Sequence, residues 1–237
     1  MKNQYFGDIN DYKKYGLLRS LANNGLYKIG LCWMLTANDG RSDGRFITYL
    51  NEPKRWRNYD PALFDLLQKR VIFESNRNIS VTENIVMLPK AEFFSEFLTD
   101  AKSDRIAYFK EMKAKLSSCD IIFFDPDNGI ETKSKNKGQR DSAKFIYWDE
   151  ISDTFQSGHS TLIYQHFPRE EHTSFIQRIV KDICARLSPS KVYWFRTSQV
   201  VYFLAVQEKH SDYIATRVKF IEEQWGSQIQ SGSHSAE

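Results

Sequence analysis

Cys119-Asp120-Ile121-Ile122-Phe123-Phe124-Asp125-Pro126-Asp127-Asn128-Gly129 is an apolar run that ends abruptly in two carboxylates, a proline and a glycine. A near-continuous apolar series fits a strand covered on both faces, as in a parallel α/β sheet, better than the alternating pattern of an antiparallel one. Pro126 stops ladder pairing and Gly129 permits a sharp turn. Asp125, Asp127 and Asn128 are therefore expected just beyond the carboxyl end of the strand. In open α/β sheets that edge is where ligands bind. The plain alternative is a strand-ending turn, because Asp, Pro, Asn and Gly all favour turns.

The surrounding chain alternates between helical and strand patterns. Upstream, residues 11–24 carry Tyr12, Tyr15, Leu18 and Leu21 at helical spacing and close on Gly25. Residues 29–35 read as a strand followed by a turn-rich loop. Asp60-Pro61 is an N-cap with proline at the first helical position, opening a helix to about Phe73. Residues 84–88 are expected to be a strand, and residues 89–116 a pair of helical segments broken near Ser103. Downstream come a short helix over 148–155 and a strand over 161–166. The next helix bears the stripe Phe175, Ile176, Ile179, Val180, Ile183, Cys184 and Leu187. Strands at 191–196 and 200–206 are separated only by Thr197-Ser198-Gln199, too short for a parallel crossover, so they form an antiparallel hairpin. A last helix covers 211–225. The expected architecture is α/β: a Rossmann-like, mostly parallel sheet with a C-terminal antiparallel hairpin, in a single domain over 1–226. Residues 227–237, small and polar, are expected to be a disordered tail.

With 237 residues, 41% of them hydrophobic, the chain can bury a full core without disulfides or a metal. Cys32, Cys119 and Cys184 are an odd count without paired spacing and read as buried free thiols. The five histidines show no metal-triad spacing, and no metal site is expected. No apolar run approaches the roughly 20 residues of a membrane span, and Met1-Lys2-Asn3-Gln4 does not open a secretory signal. A cytoplasmic protein with no membrane partner is the expectation. The net charge of +3 is too small to establish a nucleic-acid partner, so only the placement of the charges speaks.

Parallel βα units finished by an antiparallel hairpin resemble the class I S-adenosylmethionine-dependent methyltransferases, and three motifs sharpen the likeness. Gly7-Asp8-Ile9-Asn10-Asp11-Tyr12-Lys13-Lys14-Tyr15-Gly16-Leu17-Leu18 is similar to the G-N-x-x-D-x-x-K-H-x-x-L opening of the bacterial 23S rRNA adenine-N6 methyltransferases, with Asp8 in place of Asn and Tyr15 in place of His. Thr36-Ala37-Asn38-Asp39-Gly40-Arg41-Ser42-Asp43 is similar to that family's H-A-G-A-G-R-Y-D cofactor loop, with Asn38 in place of the first glycine. Asp125-Pro126-Asp127-Asn128 is similar in position to D-P-P-Y, in which the acid accepts from an exocyclic amine, the proline carbonyl accepts as well, and the aromatic ring stacks on the extruded base.

The resemblance implies S-adenosylmethionine as cofactor, bound by Lys14, Thr36, Asn38, Asp39, Gly40 and Asp43. It implies a catalytic set of Asp125, Pro126, Asp127, Asn128 and His166, with Tyr164 or His166 supplying the ring that Asn128 lacks. Taken alone, Lys14 reads as a solvated helix residue and His166 as a hydrogen-bonded structural one.

Residues 132–144 form a basic loop directly after the strand-end motif, and Lys133, Lys135, Lys137 and Arg140 are placed to hold nucleic-acid phosphates. Lys54, Arg55, Trp56 and Arg57 offer a second basic and aromatic surface. The expected substrate is RNA or DNA, single-stranded or with a flipped base, because an amine inside a duplex cannot enter a pocket. Two other readings stand beside methyl transfer: a Mg2+-dependent nuclease using Asp125, Asp127 and Glu131 with Lys133 near the phosphate, and a catalytically inactive fold that binds nucleic acid.

Overall fold

In the computed structural model, residues 5–37, 44–83 and 87–235 are described. Their strands are β1 (Ile29–Cys32), β2 (Glu92–Phe94), β3 (Ile121–Phe124), β4 (Gly129–Ile130), β5 (Phe145–Ile146), β6 (Ser160–His166), β7 (Lys191–Arg196), β8 (Val200–Val206) and β9 (Gln230–Ser235). The helices are α1 (Ile9–Ala22), α2 (Pro53–Trp56), α3 (Pro61–Leu67), α4 (Ser80–Glu83), α5 (Lys102–Lys115), α6 (Trp148–Gln156), α7 (His172–Leu187) and α8 (Ser211–Trp225).

The main sheet has the order β2-β1-β3-β6-β8-β7-β9. The first four strands are parallel, and β8 runs antiparallel between β6 and β7. Side chains of β3 and β8 alternate between two cores, which explains why both strands read as unbroken apolar runs. Ile121, Phe123, Tyr202 and Leu204 join α1, α3 and α8 on one face. Ile122, Phe124, Val201 and Phe203 join α5, α6 and α7 on the other. A second, two-stranded sheet pairs β4 with β5.

Local signals explain the helix positions. Asp8 caps α1 by accepting from the Asn10 N–H at 2.9 Å, and Asp60 caps α3 by accepting from the Leu63 N–H at 3.0 Å. The α3 helix continues as a π-helical segment, Gln68–Phe73. Gly16 lets α1 approach α8, since a Cβ there would lie 2.2 Å from the Trp225 ring.

Three expectations need correction. Residues 89–116 are not two helical segments: they hold β2 and then the single helix α5. The expected strand over 84–88 lies partly outside the described residues, and Met87 and Leu88 are buried in a turn instead. Residues 230–235 are not a disordered tail but an edge strand laddered to β7, with Gly232 so close to Trp194 that a Cβ would lie 2.2 Å from its ring. A backbone ladder needs no apolar side chains, which is why polar composition misled here. None of the helices among the described residues is long and apolar enough to cross a membrane.

Candidate active site

Because β1 and β3 are parallel neighbours, with Cys32 in register with Phe124, the segments that follow them emerge at the same edge of the sheet. The Asp125 N–H donates to the Cys32 carbonyl at 3.1 Å and extends the ladder by one bond. Met34 then takes a left-handed backbone, with φ of 46°, uncommon for a residue with a side chain. Two residues on, Thr36 Oγ1 donates to Asp127 Oδ2 at 2.7 Å. The loop after the first strand is thereby fastened to the motif after the third.

Helix α1 completes the junction. Lys14 Nζ lies 2.8 Å from Asp125 Oδ2 and 2.8 Å from Asp11 Oδ1, and all three side chains are buried. Its ammonium also sits over the Tyr15 and Trp33 rings, 5.3 and 5.4 Å from their centroids. Burial opposes the charge on Lys14, but the two carboxylates outweigh it and push its pKa up, so the lysine stays protonated. Asp11 is pushed up to about 6, chiefly by burial, with Lys14 opposing and the Asp125 and Asp8 charges adding to the rise.

These residues border a cavity of about 500 Å³, within the range of roughly 300–1,000 Å³ typical of small-molecule sites. Its charged lining is unbalanced: Asp8, Asp11, Asp125 and Asp127 face it against Lys14, the one Lys or Arg among its described lining residues. The rim is aromatic, formed by Tyr5, Phe46, Tyr164, His166, Phe167 and His172, and the β7–β8 turn contributes Ser198 and Gln199. Tyr164 and His166 share a hydrogen bond of 2.9 Å between the phenol oxygen and Nε2, while Phe167 stacks on His172 at 3.7 Å.

The turn carrying Asp125 is braced from below. Gln165 Oε1 accepts from the Ile130 N–H at 2.8 Å, and its Nε2 donates to the Asn128 and His166 carbonyls. Gly129 has φ of +116°, and a Cβ there would lie 2.3 Å from the Gln165 amide. Glycine is required on both counts.

The structure thus brings Lys14, Asp125, Pro126, Asp127, Tyr164 and His166 to one cavity, with Thr36 bonded to it. Asn38, Asp39, Gly40 and Asp43 lie outside the described residues, although Gly44 lines the cavity. Asn128 is exposed and is not part of the lining.

The basic loop is directed elsewhere. Lys137 pairs with Asp149 at 2.5 Å and Glu150 at 3.0 Å, and Lys135 Nζ donates to the Arg140 carbonyl at 2.8 Å. Lys133 and Arg140 are exposed, and none of the four lines the cavity. Of these expected phosphate holders, Lys137 lies between α5 and α6, where the α6 carboxylates Asp149 and Glu150 take up its charge. Trp56 is a core anchor packed against Tyr49 and Tyr59, and Arg57 pairs with Asp65.

The three acids of the nuclease reading do not converge either. The Lys14 ammonium occupies the space between Asp11 and Asp125, Asp127 accepts from Thr36, and Glu131 Oε1 accepts from the Trp148 N–H at the start of α6. Among the described residues no three His, Cys, Asp or Glu side chains come together as a metal-binding group. At the opposite edge of the sheet, Ser160, His210 and Asp120 are aligned as in a nucleophilic triad. Ser160 has no exposed surface and its hydroxyl already accepts from the Gln207 N–H, so the role is structural.

Sequence reasoning missed Asp8 and Asp11 as site residues, though the acid three positions before Lys14 was a visible i, i+3 partner. Phe46 and His172 carried no signal, because only tertiary folding brings them to the rim.

No protein-family model matches the chain, and no curated protein matches it. Among solved structures, the chain is similar to protein LPL1258 from Legionella pneumophila str. Philadelphia 1, of family-model DUF519, with a TM-score of 0.45 and 10% identity over 97% of each chain.

Proposed function

We propose that the protein is an S-adenosylmethionine-dependent methyltransferase acting on a nucleic acid, at an exocyclic amine of a base. The observation that carries this reading is the meeting of residues from three separate motifs at one edge of the sheet: Lys14 from the first meets Asp125 from the third at 2.8 Å, and Thr36, at the start of the second, meets Asp127 at 2.7 Å. Four parallel strands completed by an antiparallel hairpin are consistent with the same class.

The charge balance of the cavity supports it as well. Among the described lining residues, four carboxylates against one ammonium favour a cationic or hydrogen-donating guest over a phosphate. A sulfonium cofactor and an amine acceptor both suit such a lining. Thr36 and Asp127, with the assigned Asn38, Asp39, Gly40 and Asp43, would hold the cofactor, which supplies an electrophilic methyl group when bound.

The remaining work is positional. Asp125 accepts a hydrogen bond from the acceptor amine, and Lys14 holds that carboxylate in one orientation. Pro126 fixes the backbone so that its carbonyl can accept a second. Asp11 sits behind Lys14 and balances it. A reaction with an activated donor needs alignment and exclusion of water more than a strong base. With Lys133, Lys135, Lys137 and Arg140 outside the cavity lining, phosphates of the substrate would lie outside it while the base enters.

The reading is tested by incubating the full chain with methyl-labelled S-adenosylmethionine and unmodified total RNA or genomic DNA. Label in a base of one pool supports it; absence of label from both, with a folded protein that fails to bind S-adenosylhomocysteine, overturns it.

A further inference from the structure

We infer that Phe46 is the stacking platform for the acceptor ring, the part that an aromatic residue at position 128 would otherwise play. This rests on the methyltransferase reading of the cavity. Isolated exposed apolar side chains are ordinary on protein surfaces, and Leu26, Phe73, Phe97, Ile106 and Phe220 are all exposed without bordering this cavity. Phe46 differs in two respects. It is 63% exposed while lining the cavity. Its backbone is also fixed from both sides: its N–H donates to Asp8 Oδ2 at 2.9 Å, and its carbonyl accepts from the Ile9 N–H at 3.0 Å. Asp8 is itself buried and caps α1, the helix that delivers Lys14 to Asp125. One carboxylate therefore ties the backbone of Phe46 to the start of the helix that carries Lys14.

The chemistry of the surroundings selects the guest. An aromatic face beside an acidic floor suits a flat ring with amino hydrogens at its edge, which is the description of an adenine or cytosine base. Asn128 cannot stack and lies off the cavity. Tyr164 is engaged edge-on by Tyr202 and bonded to His166, so its ring is committed to the wall.

The test uses adenosine as probe, titrated into the full chain saturated with S-adenosylhomocysteine so that the probe cannot report the cofactor site. Phe46→Leu keeps the apolar bulk and removes the π face; Phe46→Tyr keeps the face. Loss of one stacked base contact predicts adenosine binding weakened about 5- to 150-fold in Phe46→Leu, retained in Phe46→Tyr, with S-adenosylhomocysteine affinity and melting temperature unchanged in both. Equal adenosine binding by Phe46→Leu and the parent overturns the proposal while leaving the methyltransferase reading intact. So does a parent that binds S-adenosylhomocysteine and no adenosine. Failure of the parent to bind S-adenosylhomocysteine at all overturns both.

Discussion

Lys14→Met removes the ammonium that lies 2.8 Å from Asp11 Oδ1 and from Asp125 Oδ2, while keeping an unbranched stem against the Tyr15 and Trp33 rings. The two carboxylate oxygens are then no more than about 5.6 Å apart with nothing between them. At an effective dielectric of about 20, unit charges at that separation repel by about 3 kcal/mol. Removing one partner of a buried ion pair costs about 3–5 kcal/mol by a separate measure. In a protein of this size that corresponds to a melting-temperature loss of about 10 °C.

The pH dependence has a definite sign. In the parent, burial pushes Asp11 up to about 6, so the folded state holds this proton more tightly than the unfolded state does. Stability from this group therefore falls as pH rises from about 4 to about 6. Without the opposing Lys14 charge, Asp11 holds its proton more tightly still, so the deficit of the variant against the parent is largest above about pH 7 and shrinks toward about pH 5. Urea unfolding followed by tryptophan fluorescence across that range measures it. Adding Asp11→Asn to Lys14→Met should recover part of the loss, because one of the two facing charges is gone. A deficit below about 1 kcal/mol, or one that does not change with pH, would refute the buried charge cluster.

Other outcomes follow from the same geometry. Asp125→Asn keeps the shape of the side chain but not its charge, and is expected to abolish labelled methyl transfer while S-adenosylhomocysteine binding, read by calorimetry, persists. Gly129→Ala forces a Cβ into the Gln165 amide at a left-handed φ, and chemical unfolding should show a loss of about 2–4 kcal/mol. Arg105 is clamped to Glu150 at 2.5 and 2.8 Å within the core, so Glu150→Gln should cost about 3–5 kcal/mol in the same assay. Hydrogen exchange should find alternate amides of Gln230–Ser235, those that donate to β7, protected; immediate exchange of all of them would contradict the edge strand.

Much of the fold was legible because core strands and amphipathic helices write themselves in apolar residues. The stripe Phe175, Ile176, Ile179, Val180, Ile183 and Leu187 located α7, since all six are buried. The three-residue connection located the β7–β8 hairpin. Where stability comes from the backbone ladder the pattern is silent: β9 has no apolar side chain, and β2 is three residues long with two of them only half-buried. The apolar residues Met87 and Leu88 looked more strand-like than β2, yet they fill a buried turn.

Within the site, Asp125 was legible as the abrupt end of an apolar strand. The burial of Lys14 was not, because a helical pattern counts lysine as polar and Asp125, the partner that draws it into the site, is 111 residues away. The basic loop misled for a similar reason: a run of cations in sequence says nothing of the carboxylates, Asp149, Glu150 and Asp141, that meet Lys137 and Lys144 in space.

A crystal structure of the protein grown with S-adenosylhomocysteine tests the account most directly. The prediction is density for the ligand in the cavity bordered by Asp125 and Asp127, on the Thr36 side, with the Lys14–Asp125 pair intact. Ligand bound elsewhere on the protein, or a cavity that stays free of it at saturating concentration, would contradict a methyl-donor site at this edge of the sheet.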